Sequence, residues 1–165
     1  MNLLGAHQVS WDSVRRFAIE CHALDSSAFS LLSDSILDNK TGKTKVAYEE
    51  LRTEKLLSFA IALRIKFYQG ASAKETEHYA RDCGLLYKLS EGHEKGPNNF
   101  TFKDICDKII HAEKIYKCIE STHDAKITTL HGTQSISGKK IDWQLSMSVT
   151  LFTEGVLNWI EKNEK

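Results

Sequence analysis

Asp107 and His111 are the residues best placed to do chemistry. They stand four positions apart in the stretch TFKDICDKIIHA, residues 101–112, with Lys103, Lys108 and Lys114 around them. On a helix four positions make about one turn, so the carboxylate can orient the imidazole and raise its pKa. An imidazole so placed transfers protons near neutral pH, and lysines beside it would meet phosphate. The candidate catalytic pair is His111 with Asp107, a role that spacing alone does not establish. The expected nucleic-acid contacts are Lys103, Lys108 and Lys114.

The element that has to position them is a helix opened by Thr101, with Asp104 completing a capping box in place of the usual Glu. Wound from Lys103 to Ile119 at about 3.6 residues per turn, it gathers Ile105, Ile109, Ala112, Tyr116 and Ile119 on one side, the predicted buried side. Lys103, Asp104, Asp107, Lys108, His111 and Lys114 gather on another. Such a face also describes ordinary solvated helix surface laced with weak ion pairs, and spacing alone does not separate the two.

Elsewhere the chemistry-bearing types are scattered. His7, His22, His78, His93, His123 and His131 show no zinc spacing with cysteines or acids, so neither a metal nor a cofactor is expected. No phosphate-cradling glycine loop or Gly-x-Ser-x-Gly elbow occurs. Arg15, Arg16, Arg52 and Arg64 could touch phosphate, though solubility of helix surfaces explains them equally. Trp143 and Trp159 could stack on bases, but their spacing reads first as core.

The supporting elements are mostly helical. Ser10 caps a first helix in which Val14, Phe17, Cys21, Leu24, Ala28 and Leu31 recur in steps of three and four. DNKTGKT is a turn. A second helix runs from about Lys45 to Tyr68, with Leu56, Phe59, Ala60, Leu63 and Phe67 on one side and Gly70 closing it. A shorter one covers about Lys74 to Cys83, with Gly84 at C′. SEGHEKGPNN is a loop. Beyond Ser121 the period changes to two: KITTLHGTQ and KIDWQLSMSV read as strands joined by a turn in SISGKK, with Leu130 near Leu145. A last helix, about Thr150 to Lys162, carries Val156, Trp159 and Ile160. The expected fold is mainly α, a helical bundle with a small antiparallel β-hairpin or meander near the C-terminus. No strand is expected in the first hundred residues.

Composition narrows the function classes. The 22 Lys and Arg balance the 22 Asp and Glu among 165 residues, which argues against a dedicated duplex-binding protein. Cys21, Cys83, Cys106 and Cys118 are far apart without a Cys-x-x-Cys pair, which suggests a reducing, cytoplasmic setting. The apolar run LLSFAIALRI is broken by Arg64 and too short to span a bilayer.

The stretch DICDKIIHA, together with KLLSFAIALRI and DWQLSMSVTLF, resembles the HEPN superfamily (higher eukaryotes and prokaryotes nucleotide-binding domains). It is similar in particular to bacterial proteins whose late helix reads Cys-Asn-Lys-Ile-Ile-His-Ala, over most of Leu51–Glu161. The resemblance implies one HEPN-like domain over 1–165, with a bundle over about 10–120, a hairpin over about 125–149 and a last helix over about 150–162. It also implies a homodimer in a bacterial defence, stress or toxin–antitoxin system, with RNA or a protein as partner. Many such proteins are metal-independent ribonucleases with an Arg-x(4–6)-His motif. Here His111 matches the histidine and Asp107 the polar position. Asp104, Ile105 and Cys106 occupy the arginine window, and Lys103 falls one residue outside it. Two functions stay open: a non-catalytic binding or regulatory subunit, and an endoribonuclease using His111.

Overall fold

A computed structural model describes residues 8–32, 42–90, 99–117 and 127–164. Helix α1 (Trp11–Leu32) runs without a break. The Ser13 N–H donates to Ser10 Oγ at 3.0 Å, the expected cap. Helix α2 (Lys43–Tyr68) ends on Gln69, and Gly70 takes φ +102, a left-handed conformation that only glycine adopts without strain. The next segment is shorter than expected: a 3-10 turn (Lys74–Thr76) leads into α3 (Glu77–Arg81). Asp82 is its C-cap, and Gly84 stands further on than C′.

Strand β1 (Leu86–Leu89) corrects the expectation of helices alone through the first hundred residues. Leu85, Tyr87 and Leu89 turn inward while Leu86 and Lys88 are exposed, a period of two too short to stand out beside the helical stripes. A second correction falls on the segment with the candidate site. Helix α4 spans Phe102–Ile110, and His111 is its C-cap. From there the chain enters β2 (Lys114–Lys117), where a helix had been expected to reach Ile119. Pairing decides this: β2 runs antiparallel to β3 (Thr128–Ile136), with Ile115 opposite Leu130 and Lys117 opposite Thr128. Tyr116, expected in the core, is therefore 48% exposed. The family resemblance implies helix where β1 and β2 stand, so both strands depart from it.

The hairpin is as expected. Strand β4 (Lys139–Met147) pairs with β3 with Leu130 opposite Leu145. Ser137 and Gly138 turn the corner at φ 50 and 80, the left-handed pair of a type I′ turn. Helix α5 (Val149–Asn163) follows, capped by Ser148 Oγ accepting from the Leu151 N–H at 3.2 Å. The sheet is antiparallel throughout, in the order β1-β4-β3-β2.

Tyr87, Leu130, Trp143, Leu145 and Met147 line its inner face and join one continuous core. The helices supply Val14 and Ala18 from α1, Leu56, Phe59 and Leu63 from α2, Ile105 and Ile109 from α4, and Phe152, Val156 and Trp159 from α5. The fold is thus a mixed one, helices covering one face of a four-stranded sheet. Among the described residues no helix is long and apolar enough to cross a membrane. Most of SEGHEKGPNN, the start of DNKTGKT, and Cys118 and Ile119 lie outside the described residues.

Candidate functional site

Helix α4 begins as its sequence dictates. The Asp104 N–H donates to Thr101 Oγ1 at 3.2 Å, and the Thr101 N–H donates to Asp104 Oδ2 at 2.8 Å. Asp104 is thereby committed to the cap. One turn on, the Asp107 carboxylate accepts from Arg64 Nε of α2 at 2.5 Å, with Lys103 Nζ at 3.9 Å. The Arg64 side chain is only 14% exposed, and its guanidinium lies 4.2 Å from the centre of the Tyr68 ring. A guanidinium that far out of water needs a counter-charge, and Asp107 supplies it.

That engagement settles what Asp107 does for His111. The two meet through the backbone, the His111 N–H donating to the Asp107 carbonyl at 3.1 Å. Among the described residues the exposed His111 imidazole makes no side-chain hydrogen bond or ion pair. The expected carboxylate–imidazole pair is therefore not formed. Helix α4 ends where it does because it closes onto β3. An added Cβ at Gly132 would stand 2.9 Å from the His111 carbonyl oxygen and 2.4 Å from Trp143 Cζ2.

The three lysines separate. Lys103 stays on α4 beside Asp107. Lys108 turns to the inner side of the sheet, donating to Tyr87 Oη and Gln134 Oε1, each at 2.9 Å. Its ammonium lies 4.4 Å from the Trp143 ring centre and 4.8 Å from that of Tyr87. Cation–π attraction and two acceptors hold the ammonium of Lys108, an expected nucleic-acid contact, on the inner side of the sheet. Lys114 belongs to β2, on the outer face of the sheet and opposite His131. The polar face gathered by helical winding is thus divided among α4, the inside of the sheet and its outside.

The partners of several polar residues escaped the sequence reading. Arg64 had a signal, since it interrupts an apolar helix stripe. The buried pair of Asp25 and Lys117 had none. Lys117 Nζ donates to Asp25 Oδ1 at 2.5 Å, across 92 positions of sequence. Arg52, 3% exposed, donates to Thr128 Oγ1 at 3.2 Å, while its Nε and Nη2 are buried without a hydrogen-bond partner. Burial pulls the pKa of both cations down, with Asp25 acting the other way. On the outer sheet face Tyr116 and His131 stack at 5.0 Å with planes 24° apart, and Tyr116 Oη is hydrogen bonded to His131 Nε2.

Among the described residues the cysteines offer no nucleophile. Burial pushes the Cys21 and Cys83 thiols up to about 12, and the fully buried Cys106 is raised as well. Among the described residues no three His, Cys, Asp or Glu side chains converge as a metal site. Comparison with family models, with curated proteins and with solved structures finds no match to this chain.

Proposed function

We propose that this protein is a binding or regulatory subunit of HEPN-like kind that does not itself cleave RNA. The observation that carries the reading is the partner of Asp107: its carboxylate is held by Arg64, which leaves the His111 imidazole without an orienting group. RNA cleavage by 2′-hydroxyl attack needs a positioned proton-transfer group and a cation facing the developing phosphorane charge. Here the imidazole is unsupported, Arg64 is neutralised and Lys108 is enclosed by aromatic rings. A homodimer fits the same reading, because α2 exposes Leu57, Ile61 and Tyr68 along the side that also bears Arg64.

One observation favours the second reading, an endoribonuclease using His111. Arg64 brings a guanidinium to Asp107, one turn before His111, and so supplies from α2 the cation missing at Asp104, Ile105 and Cys106. Cleavage of a labelled single-stranded RNA in the presence of a chelator decides between the two. The proposal expects wild type and His111→Ala to be equally inactive. The second reading expects cyclic 2′,3′-phosphate products, reduced roughly a hundredfold by His111→Ala and comparably by Arg64→Ala. Restoring a cation by Cys106→Arg is not a usable test, since Cys106 is fully buried and an arginine there would bring a charge into the core.

A further inference from the structure

Strand register gathers a set of side chains that no helix winding could reveal. Lys88 stands opposite Gln144, Gln144 opposite His131, and His131 opposite Lys114. Directly paired residues of antiparallel strands share a face, so these four form one row across the whole sheet. Three inter-strand spacings separate the two lysines, a span of roughly 14 Å. The row lies on the face opposite Tyr87, Trp143 and Leu145, which bury the other side against the helices. Lys88 and Lys114 are exposed, and among the described residues neither is paired with a carboxylate.

Tyr116 stands on the same face, two positions beyond Lys114, stacked on His131 and 48% exposed. One side of its ring is therefore covered by imidazole and the other is open. Beside it a cavity of about 220 Å³ reaches Glu113, His131, Thr133 and Asp142. The outward positions of the strands carry Lys88, Lys114 and Lys140 against Asp142, with Glu113 bonded to the outward Thr133, which leaves one positive charge in excess in a chain without net charge.

We infer that the outer face of this sheet binds single-stranded RNA. The inference rests on the reading of the protein as a binding subunit and gives that subunit a surface and a ligand class. A base stacks on the open face of Tyr116. Lys88 and Lys114, at either end of the row, take backbone phosphates, while Gln144 offers hydrogen bonds to base edges; the Thr133 hydroxyl already donates to Glu113 Oε1 at 2.7 Å. Glu113 and Asp142 repel phosphate from the cavity and accept from base amino groups, so the backbone is kept to the lysine row. Duplex is excluded, because its bases are already stacked and cannot reach the ring.

Fluorescence anisotropy with a short labelled single-stranded RNA tests this on the full chain. Wild type should bind, and the matching duplex should bind more weakly. Tyr116→Ala should weaken binding roughly tenfold or more. Lys88→Gln with Lys114→Gln should reduce the slope of log affinity against log salt by about 1.4, two phosphates' worth. Lys45→Gln, an exposed lysine on α2, should change nothing, and circular dichroism should show every variant folded. Absence of binding by wild type, or a protein partner captured on this face in its place, would overturn the inference. So would loss of binding in Lys103 or His111 variants with the sheet variants intact. Cleavage of the bound strand would refute the non-catalytic function alone and leave the surface standing.

Discussion

Asp25→Asn tests the buried joint between α1, β2 and α5. The wild-type carboxylate accepts from Lys117 Nζ at 2.5 Å, from the Thr150 N–H at 3.1 Å and from Thr150 Oγ1 at 2.8 Å. The Asp25 and Lys117 side chains are 1% and 2% exposed. With Arg52 beside them the cluster carries two positive charges and one negative. Asp25→Asn leaves Lys117 without its buried counter-charge and Arg52 with only the half-buried Glu49 acting on it, whereas Lys117→Met leaves Asp25 balanced by Arg52 and still bonded to Thr150. Removing one partner of a buried pair costs about 3–5 kcal/mol when a charge is left behind, a large part of the roughly 5–15 kcal/mol that holds a domain folded. Lys117→Met should cost less, about 1–3 kcal/mol. Urea unfolding followed by circular dichroism reads both, with an unchanged slope showing that stability alone has moved. The pH dependence gives a second reading. Burial lowers the Lys117 pKa and Asp25 raises it, so losing Asp25 leaves only the lowering. Between that lowered value and the ordinary 10.5 the unfolded chain then holds more protons, so stability rises with pH. The gap between Asp25→Asn and wild type should narrow toward alkaline pH. A cost for Asp25→Asn no greater than for Lys117→Met, or a gap that does not narrow, refutes the account of this cluster.

Two further outcomes follow from the core. Gly132→Ala should destabilise by about 1–3 kcal/mol, because its Cβ would stand 2.4 Å from Trp143 Cζ2 and 2.9 Å from the His111 carbonyl; thermal unfolding and a shift in tryptophan fluorescence check this. The buried thiols of Cys21 and Cys83, at about 12 when folded against 9.0 ordinarily, keep their protons where the unfolded chain loses them. Stability should therefore be full below pH 9.0 and fall above it by about 1.4 kcal/mol per pH unit per thiol at most. Unfolding titrations from pH 8 to 11 should show that slope flattened in Cys83→Ala.

What local rules govern was legible in the sequence. The Ser10 and Thr101 caps, the close of α2 at Gly70, the stripes of α1 and α2, and the hairpin register that sets Leu130 opposite Leu145 each depend on neighbours within a turn or across a tight corner. The continuation after Ile110 was not legible. Ile115 and Tyr116 satisfy a helical period and a strand period alike, and pairing with β3 chose the strand. That choice took Lys114 and Tyr116 off the α4 surface and placed them beside His131 on the outer face of the sheet. Strand β1 was hidden in the same way, since four residues carry too little periodicity without β4 beside them. Arg64 was visible as a charge in an apolar run, but only the crossing of α2 and α4 gave it Asp107 as partner. Lys117 was visible only as one more lysine; its burial against Asp25, 92 positions away, came from closing the sheet over α1. The sequence determined which segments could be helix or strand, because propensity and capping act over a few residues. Tertiary structure decided which charges meet, because a buried charge is stabilised by whatever counter-charge the fold brings within reach.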